Sequence, residues 1–436
     1  MKEKISFLTK LFLSCLLTLL LLEAGLHLFP GVIPLQFLIY FNKYPRSEIA
    51  RSLNLSNKWD IIYLDRDDGG PELWVYRPLI KIRWPVKDEG AVETRVLDDI
   101  GFCNPPENSY HLPKISLITL GDSFTTCYAV NPEDTWTAKL SQLTGLEVYN
   151  LGRIGTSIHG YVQIFKHFGL QKSPQIVIMN FYEGNDLRDE INFYKYRENQ
   201  KEEALRPTSL TDNFAVELSR EGLLGRYSYT FNLFNSALQY WLTLDQNASD
   251  LSSTDSDEMA EIELHAADDT LDFRYNLVFT DTVVPFNPKN EDRDEVSMAL
   301  MVKNRVPGYE QKIAQTVKEA LATFVELSKQ NDFVPIVTYT PSAYTAYADN
   351  VKFNDPALQE LMPAFSAYQY KFLKTEGQNL GYTFIDLTPA LQVAARIKGS
   401  TDLLYFPVNR HLTPSGHAVI AEELSRSLQN LHLALR

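Results

Sequence analysis

Residues 175–181 read QIVIMNF, a near-continuous apolar run of strand length. A strand with one face in water alternates apolar and polar residues, so a run without alternation fits a parallel sheet covered on both faces. ISLITL (115–120), LEVYNL (146–151), VPIVTY (334–339) and YTFIDL (382–387) read as further strands. Helical periodicity falls among them. Ile313, Val317, Leu321, Phe324 and Leu327 make one apolar face, and Ile420, Leu424, Leu428 and Leu431 another, with Pro414 suited to a helix start. This alternation predicts an α/β fold with a parallel, doubly wound sheet. Active sites in such sheets lie at the carboxyl ends of the strands.

The amino terminus has a different character. MKEKISFLTKLFLSCLLTLLLLEAGLHLF opens with lysines and continues as an apolar run from Leu11 to Phe29, broken by Glu23 and His27. Roughly 20 apolar residues span a bilayer as a helix, and the leading lysines favour a cytoplasmic amino end. No clean small-x-small cleavage site follows, and the apolar segment continues past Cys15, against a lipoprotein signal at FLSC. The pattern predicts an uncleaved signal anchor over residues 1–30, with the rest of the chain in the periplasm or extracellular space.

Residues 31–110 are rich in aromatics and prolines and read as a stalk and lead-in. The main domain then runs from 111 to 436. An insertion at 187–305 interrupts it with charge-rich stretches such as LRDEINFYKYRENQKEEALR and STDSDEMAEIEL, expected to lie over the active-site face. Net charge is −14; the first 30 residues carry three lysines against two glutamates, so the remainder carries −15. An acidic body without a basic stripe argues against nucleic-acid binding. Three cysteines exclude a disulfide framework and a thiolate zinc cluster but allow one bridge, Cys103 to Cys127.

Three predicted strands end in chemically suggestive loops. ISLITL runs into Gly121-Asp122-Ser123, a bare serine at a strand end. LEVYNL runs into NLGRIGTS (150–157), whose glycines leave a backbone N–H open to close approach. QIVIMNF runs into NFYEGNDLRD (180–189), which places Asn185 at a third strand end. Near the carboxyl end, FPVNRHLTPSGHAVIAEEL (406–424) puts His411 in a loop before the last helix. A serine nucleophile needs a base, and an ester needs donors for its developing oxyanion. Each motif is common alone; their order, three at successive strand ends, joins them into one constellation. His417 is expected inside the final helix as a structural histidine, and no other ligands cluster near it to hold a metal. Asp122 and Asp186 are expected to bond loop backbone.

The chain resembles the SGNH (GDSL-like) hydrolase family at these positions: GDSFT at 121–125, Gly155, GND at 184–186 and HLTPSGH at 411–417, over roughly residues 95–186 and 306–436. The resemblance implies a three-layer α/β/α fold with a flavodoxin-like sheet of about five strands. It assigns Ser123 as nucleophile and His411 as general base, with the Ser123 N–H, the Gly155 N–H and the Asn185 side chain as the oxyanion hole. No metal and no cofactor is expected. The family usually places an aspartate two or three residues before its histidine, where this chain has Val408 and Asn409. Asp386 and Asp402 lie farther back. Two outcomes are open: a Ser–His dyad oriented by the Asn409 side chain, or an impaired enzyme.

The expected function is that of a membrane-anchored serine ester hydrolase or O-acyltransferase working on acyl or acetyl esters of glycans or lipids. Its rival is a non-catalytic subunit whose cleft binds polysaccharide or an assembly partner. Sequence does not fix the acceptor, the oligomeric state or the role of 187–305.

Overall fold

The computed structural model describes residues 2–29, 32–33, 61–71, 73–83, 94–112, 114–205, 228–234, 237, 271–287, 293–303 and 309–431. Two compact units result: Met1–Tyr63 with Lys201–Ala260, and Leu64–Gln200 with Glu261–Arg436. Most of the expected stalk before residue 61, and most of the insertion between 206 and 270, lies outside the described residues.

The first unit is built on a helix over Lys2–Leu28, which starts well before the apolar run at Leu11. Leu13, Leu16, Leu17 and Leu19 to Leu22 are exposed along it. Among the described residues, no helix is long and apolar enough to cross a membrane. Glu23 accepts hydrogen bonds from the backbone N–H groups of Tyr229 (2.7 Å) and Thr230 (2.8 Å) and from the Ser228 hydroxyl (2.9 Å). It thereby satisfies donors that a helix start leaves without partners.

The second unit contains a five-stranded parallel sheet: β1 (Leu117–Leu120), β2 (Val148–Asn150), β3 (Ile176–Tyr182), β4 (Val334–Thr340) and β5 (Thr383–Asp386). The spatial order is β5-β4-β3-β1-β2, the flavodoxin-like order. Leu117 aligns with Val148 on one side and Ile176 on the other; Val334 aligns with Ile176, and Ile336 with Thr383. All seven β3 residues are buried, as its unbroken apolar run requires. Each such aliphatic side chain removed from water contributes about 1.5–3 kcal/mol.

Helices cover both faces. On one side lie α1 (Trp136–Thr144), α6 (Thr388–Lys398) and α7 (Pro414–Asn430). On the other lie α2 (Ile158–Ile164), α4 (Tyr309–Asn331) and α5 (Leu358–Leu380). A further helix, α3 (Asp186–Leu205), follows β3. Local sequence sets the helix starts: the Thr135, Ser157 and Thr413 hydroxyls accept from the N–H groups of Ala138, Gly160 and Gly416. Val317, Leu321 and Phe324 are fully buried on α4, and Ile420, Leu424 and Leu428 on α7. The side chain of Ile313 is outside the described residues. Leu431 does not join the apolar face: it lies past the end of α7 and is 41% exposed.

Residues 64–110 are part of this unit. The Asn104 side chain pairs with the Asn150 backbone in both directions, at 2.8 and 3.0 Å. Cys103 and Cys127 form a disulfide. The later part of the insertion supplies a hairpin, Tyr275–Val278 with Val283–Phe286, to which Val351–Phe353 adds a third antiparallel strand.

Candidate active site

The chain passes from β1 out to the edge strand β2 and returns to β3 on the other side of β1. This reversal opens a crevice at the carboxyl ends of β1 and β3, where open α/β sheets place their ligands. Ser123 follows β1 there. The turn that carries it is tight because Gly121 has no side chain: a Cβ on Gly121 would lie 2.0 Å from Thr125 Oγ1. Asp122 braces the turn, its Oδ1 accepting from Phe124 N at 2.8 Å and its carbonyl from Thr125 and Thr126 N at 3.1 and 3.0 Å. Asp122 therefore bonds loop backbone. Asp186 does so too, accepting from Tyr182 N at 2.8 Å and also from the Tyr161 hydroxyl at 2.7 Å. Burial pushes the Asp122 carboxyl up to about 6, with the Asp189 charge adding to it. Burial, then the Asp122 charge, push Asp186 well above the usual carboxylate range.

His411 Nε2 stands 2.9 Å from Ser123 Oγ, across 288 residues of sequence. Its Nδ1 is 3.0 Å from the main-chain carbonyl of Asn409. A carbonyl only accepts, so Nδ1 carries the proton, and Nε2 of the neutral ring is left bare to accept from the serine hydroxyl. Sequence alone assigns the orienting oxygen to the Asn409 side chain; the structure gives that place to the peptide. The Asn409 Oδ1 instead accepts from His411 N at 2.9 Å. The loop turns this way because Arg410 adopts a left-handed conformation, φ +60°. A bridge between Tyr405 and Leu412 closes its base. Asp402 bonds Lys398 and Ser415, and Asp386 caps Thr388 N, so neither reaches the imidazole.

The imidazole lies between two rings, Phe124 with centroids 4.7 Å apart and Tyr128 at 4.1 Å. Burial, reinforced by the adjacent Arg410 charge, pushes its pKa down to about 3; the Asn409 carbonyl opposes this. The ring is therefore neutral at pH 7, as a base must be.

Gly155 and Asn185 occupy the other strand ends. Gly155 has φ +59°, and no atom lies within 4 Å of where its Cβ would be, so its backbone faces open space. Its loop is docked on the turn that carries Ser123: Arg153 N donates to Gly121 O at 2.9 Å, and Asn150 Nδ2 to Thr125 O at 2.7 Å. Asn185 Nδ2 donates to Asp189 Oδ2 at 2.9 Å. An amide nitrogen has two hydrogens, and holding one on Asp189 fixes the direction of the other. The Asn185 amide also acts on the Asp122 carboxyl beside Ser123. His417 lies inside α7, 1% exposed, accepting from Trp136 N at 3.2 Å. No group of three or more potential metal ligands occurs among the described residues.

Three supporting residues are not singled out by sequence reasoning. Asn150 opens the NLGRIG motif, and Asp189 stands one helical turn after Asn185, so both carry a local signal. Asn180 carries none: in the buried β3 its Oδ1 accepts from Thr338 and Thr340 hydroxyls at 2.8 and 2.6 Å, and its Nδ2 donates to Thr125 Oγ1 at 3.3 Å.

No protein-family model and no curated protein matches this chain. Among solved structures it is similar to a lipolytic-type protein of the G-D-S-L family from Desulfitobacterium hafniense DCB-2, at 14% identity and TM-score 0.32, covering 72% of this chain and 99% of that one. It is also similar to the acetyl xylan esterase AlAXEase (10% identity, TM-score 0.34, covering 72% and 98%). A third likeness is the psychrotrophic esterase EstA from Pseudoalteromonas sp. (10%, 0.33, covering 73% and 99%).

Proposed function

We propose that this chain is a serine ester hydrolase or O-acyltransferase acting through an acyl-enzyme on Ser123. One observation carries the reading: Ser123 Oγ faces His411 Nε2 while the Asn409 carbonyl holds the proton on Nδ1. In the first step Nε2 takes the hydroxyl proton as Oγ attacks the ester carbonyl. The tetrahedral oxyanion is held by the N–H groups of Ser123 and Gly155 and by the Asn185 amide. The imidazolium returns the proton to the leaving alcohol, leaving the acyl group on Ser123. Water or an acceptor hydroxyl, deprotonated by the same ring, then releases it. Hydrolysis and transfer share this intermediate and differ in the acceptor.

A second reading, a non-catalytic subunit binding polysaccharide or an assembly partner, is favoured by one fact: a carbonyl, not a carboxylate, stands at Nδ1. A carbonyl dipole stabilises the imidazolium less than a full charge does. We favour catalysis because the tautomer is the productive one.

The proposal includes an extracytoplasmic domain held to the membrane by the amino-terminal helix, with acylated glycans or lipids as substrates. Supporting the anchor, the helix over Lys2–Leu28 carries a run of exposed leucines, Leu13, Leu16, Leu17 and Leu19 to Leu22. Supporting the compartment, the Cys103–Cys127 disulfide belongs with an oxidising environment. Labelling of the purified full-length protein with a fluorophosphonate, followed by peptide mapping, tests the catalytic part: modification at Ser123, abolished in His411→Ala, is expected. An unlabelled wild type would leave the binding-subunit reading. Carbonate extraction and a reporter fused after residue 40 test the anchor, which predicts membrane retention and reporter activity only outside the cytoplasm.

A further inference from the structure

Arg153 lies in the loop after β2, two residues before Gly155, and is 5% exposed. Its Nη1 donates to the Gly155 carbonyl at 2.7 Å and to the Thr156 hydroxyl at 2.6 Å. The guanidinium carbon sits 3.5 Å from the centroid of the Trp74 ring. Its Nε is buried without a hydrogen-bond partner, and no carboxylate among the described residues pairs with it. A buried arginine ordinarily takes a carboxylate across its planar fork. This one spends both N–H groups of Nη1 on a single loop.

The bonds of that loop explain the choice. The Thr156 hydroxyl donates onward to the Ile154 carbonyl at 3.4 Å. The Ile154 carbonyl and the Gly155 N–H belong to one rigid peptide plane, and the Gly155 carbonyl belongs to the next. Arg153 thus restrains the second plane directly and the first through Thr156. Gly155 needs this help: it has no side chain to limit its backbone, its φ is +59°, and no atom beyond its chain neighbours lies within 4 Å of its Cβ position. Burial pulls the Arg153 pKa down to about 9, which leaves it a cation at pH 7.

We infer that Arg153 is a positioning residue of the oxyanion hole: it locks both peptide planes around Gly155 so that the Gly155 N–H points at the oxyanion, and its unpaired charge favours an anion there. The inference rests on the reading of Ser123 as nucleophile. A subsite for an anionic substrate group would have to use Nη2, since Nε is buried without a partner and Nη1 is committed to the loop, and it would show in KM.

A hole that acts in the transition state affects kcat, whereas a ground-state subsite affects KM. The test uses full-length wild type, Arg153→Met, Arg153→Lys and Thr156→Val, with a short-chain aryl ester and with fluorophosphonate labelling of Ser123. For Arg153→Met, kcat should fall about 10²-fold with KM within about twofold, the scale of losing one oxyanion donor. Arg153→Lys keeps the charge but cannot bridge two acceptors, and should fall between Met and wild type. Thr156→Val keeps charge and stacking while cutting the relay to Ile154, and should lower kcat about tenfold; it carries the test if Arg153→Met does not fold. Unchanged kcat in both Arg153→Met and Thr156→Val, or a raised KM at constant kcat, would overturn the inference. Labelling of wild type and Arg153→Met at equal rates would overturn it alone, whereas a wild type inert to probe and ester would overturn the catalytic reading as well.

Discussion

The Nδ1 atom of His411 and the main-chain carbonyl of Asn409 stand 3.0 Å apart, and this contact decides which way the ring can move a proton. In serine proteases, replacing the triad aspartate by asparagine lowers kcat about 10⁴-fold because the amide favours the wrong tautomer. Here the orienting group cannot donate, so the tautomer is right while the compensating charge is missing.

The first prediction concerns Asn409 itself. Its side chain caps His411 N and does not face Nδ1. Asn409→Asp keeps an acceptor in the same place, so kcat/KM should stay within about fivefold of wild type. Asn409→Ala loses the cap, and the fold should lose about 1 kcal/mol. Steady-state kinetics and thermal melts measure both. A hundredfold gain in Asn409→Asp would mean that the side chain, not the peptide, orients the ring.

The second concerns pH. Between Phe124 and Tyr128 the imidazole is held neutral, its pKa pushed well below that of an ordinary histidine. The base form is the neutral one, so activity survives acidification and is lost only as pH falls through the depressed folded value. The acidic limb of kcat/KM for wild type should lie clearly below pH 6.5. A limb at 6.5 or above would contradict the half-buried, ring-packed placement of the imidazole.

Third, Gly155→Ala puts a Cβ into open space on a left-handed residue. The strain should cost about 1–2 kcal/mol of stability. If Gly155 N–H is an oxyanion donor, kcat should fall about 10²-fold beyond that, and Asn185→Ala should do the same. Melting curves recorded beside kcat separate the two effects. Loss of stability with full activity would remove Gly155 from the hole.

Fourth, the disulfide ties the nucleophile turn to the segment before β1. Cys103 and Cys127 are both buried and 24 residues apart. Opening the bridge by Cys103→Ala with Cys127→Ala should destabilise the protein by about 3 kcal/mol. Denaturant unfolding of the variant against wild type measures this; equal stabilities would show that the bridge contributes nothing in solution.

The strand ends were the readable part of this chain. Short apolar-rich runs mark β1 to β5 within about two residues, and the sheet's logic then places Ser123, Gly155 and Asn185 along one edge. His411 was legible through its position before a proline-started helix. The partner of its Nδ1 was not, because whether residue 409 offers a side chain or a peptide depends on the φ of Arg410, which no residue type announces. Arg153 was hidden for a related reason: its role is set by Trp74 and by the bonds of its own loop, while in sequence it is one more charged residue. Residues 64–110 read as a lead-in since they lack periodicity, yet Asn104 and Cys103 bind them to β2 and to the nucleophile turn through contacts far apart in the chain.

The distance in sequence between Ser123 and His411 also sets an order of manufacture. Synthesis reaches the hydroxyl well before the imidazole, with the charged insertion emerging in between. A product terminated before residue 411 lacks the imidazole altogether, so the contact between the two side chains forms only once translation has passed that point and α7 can dock beside α1.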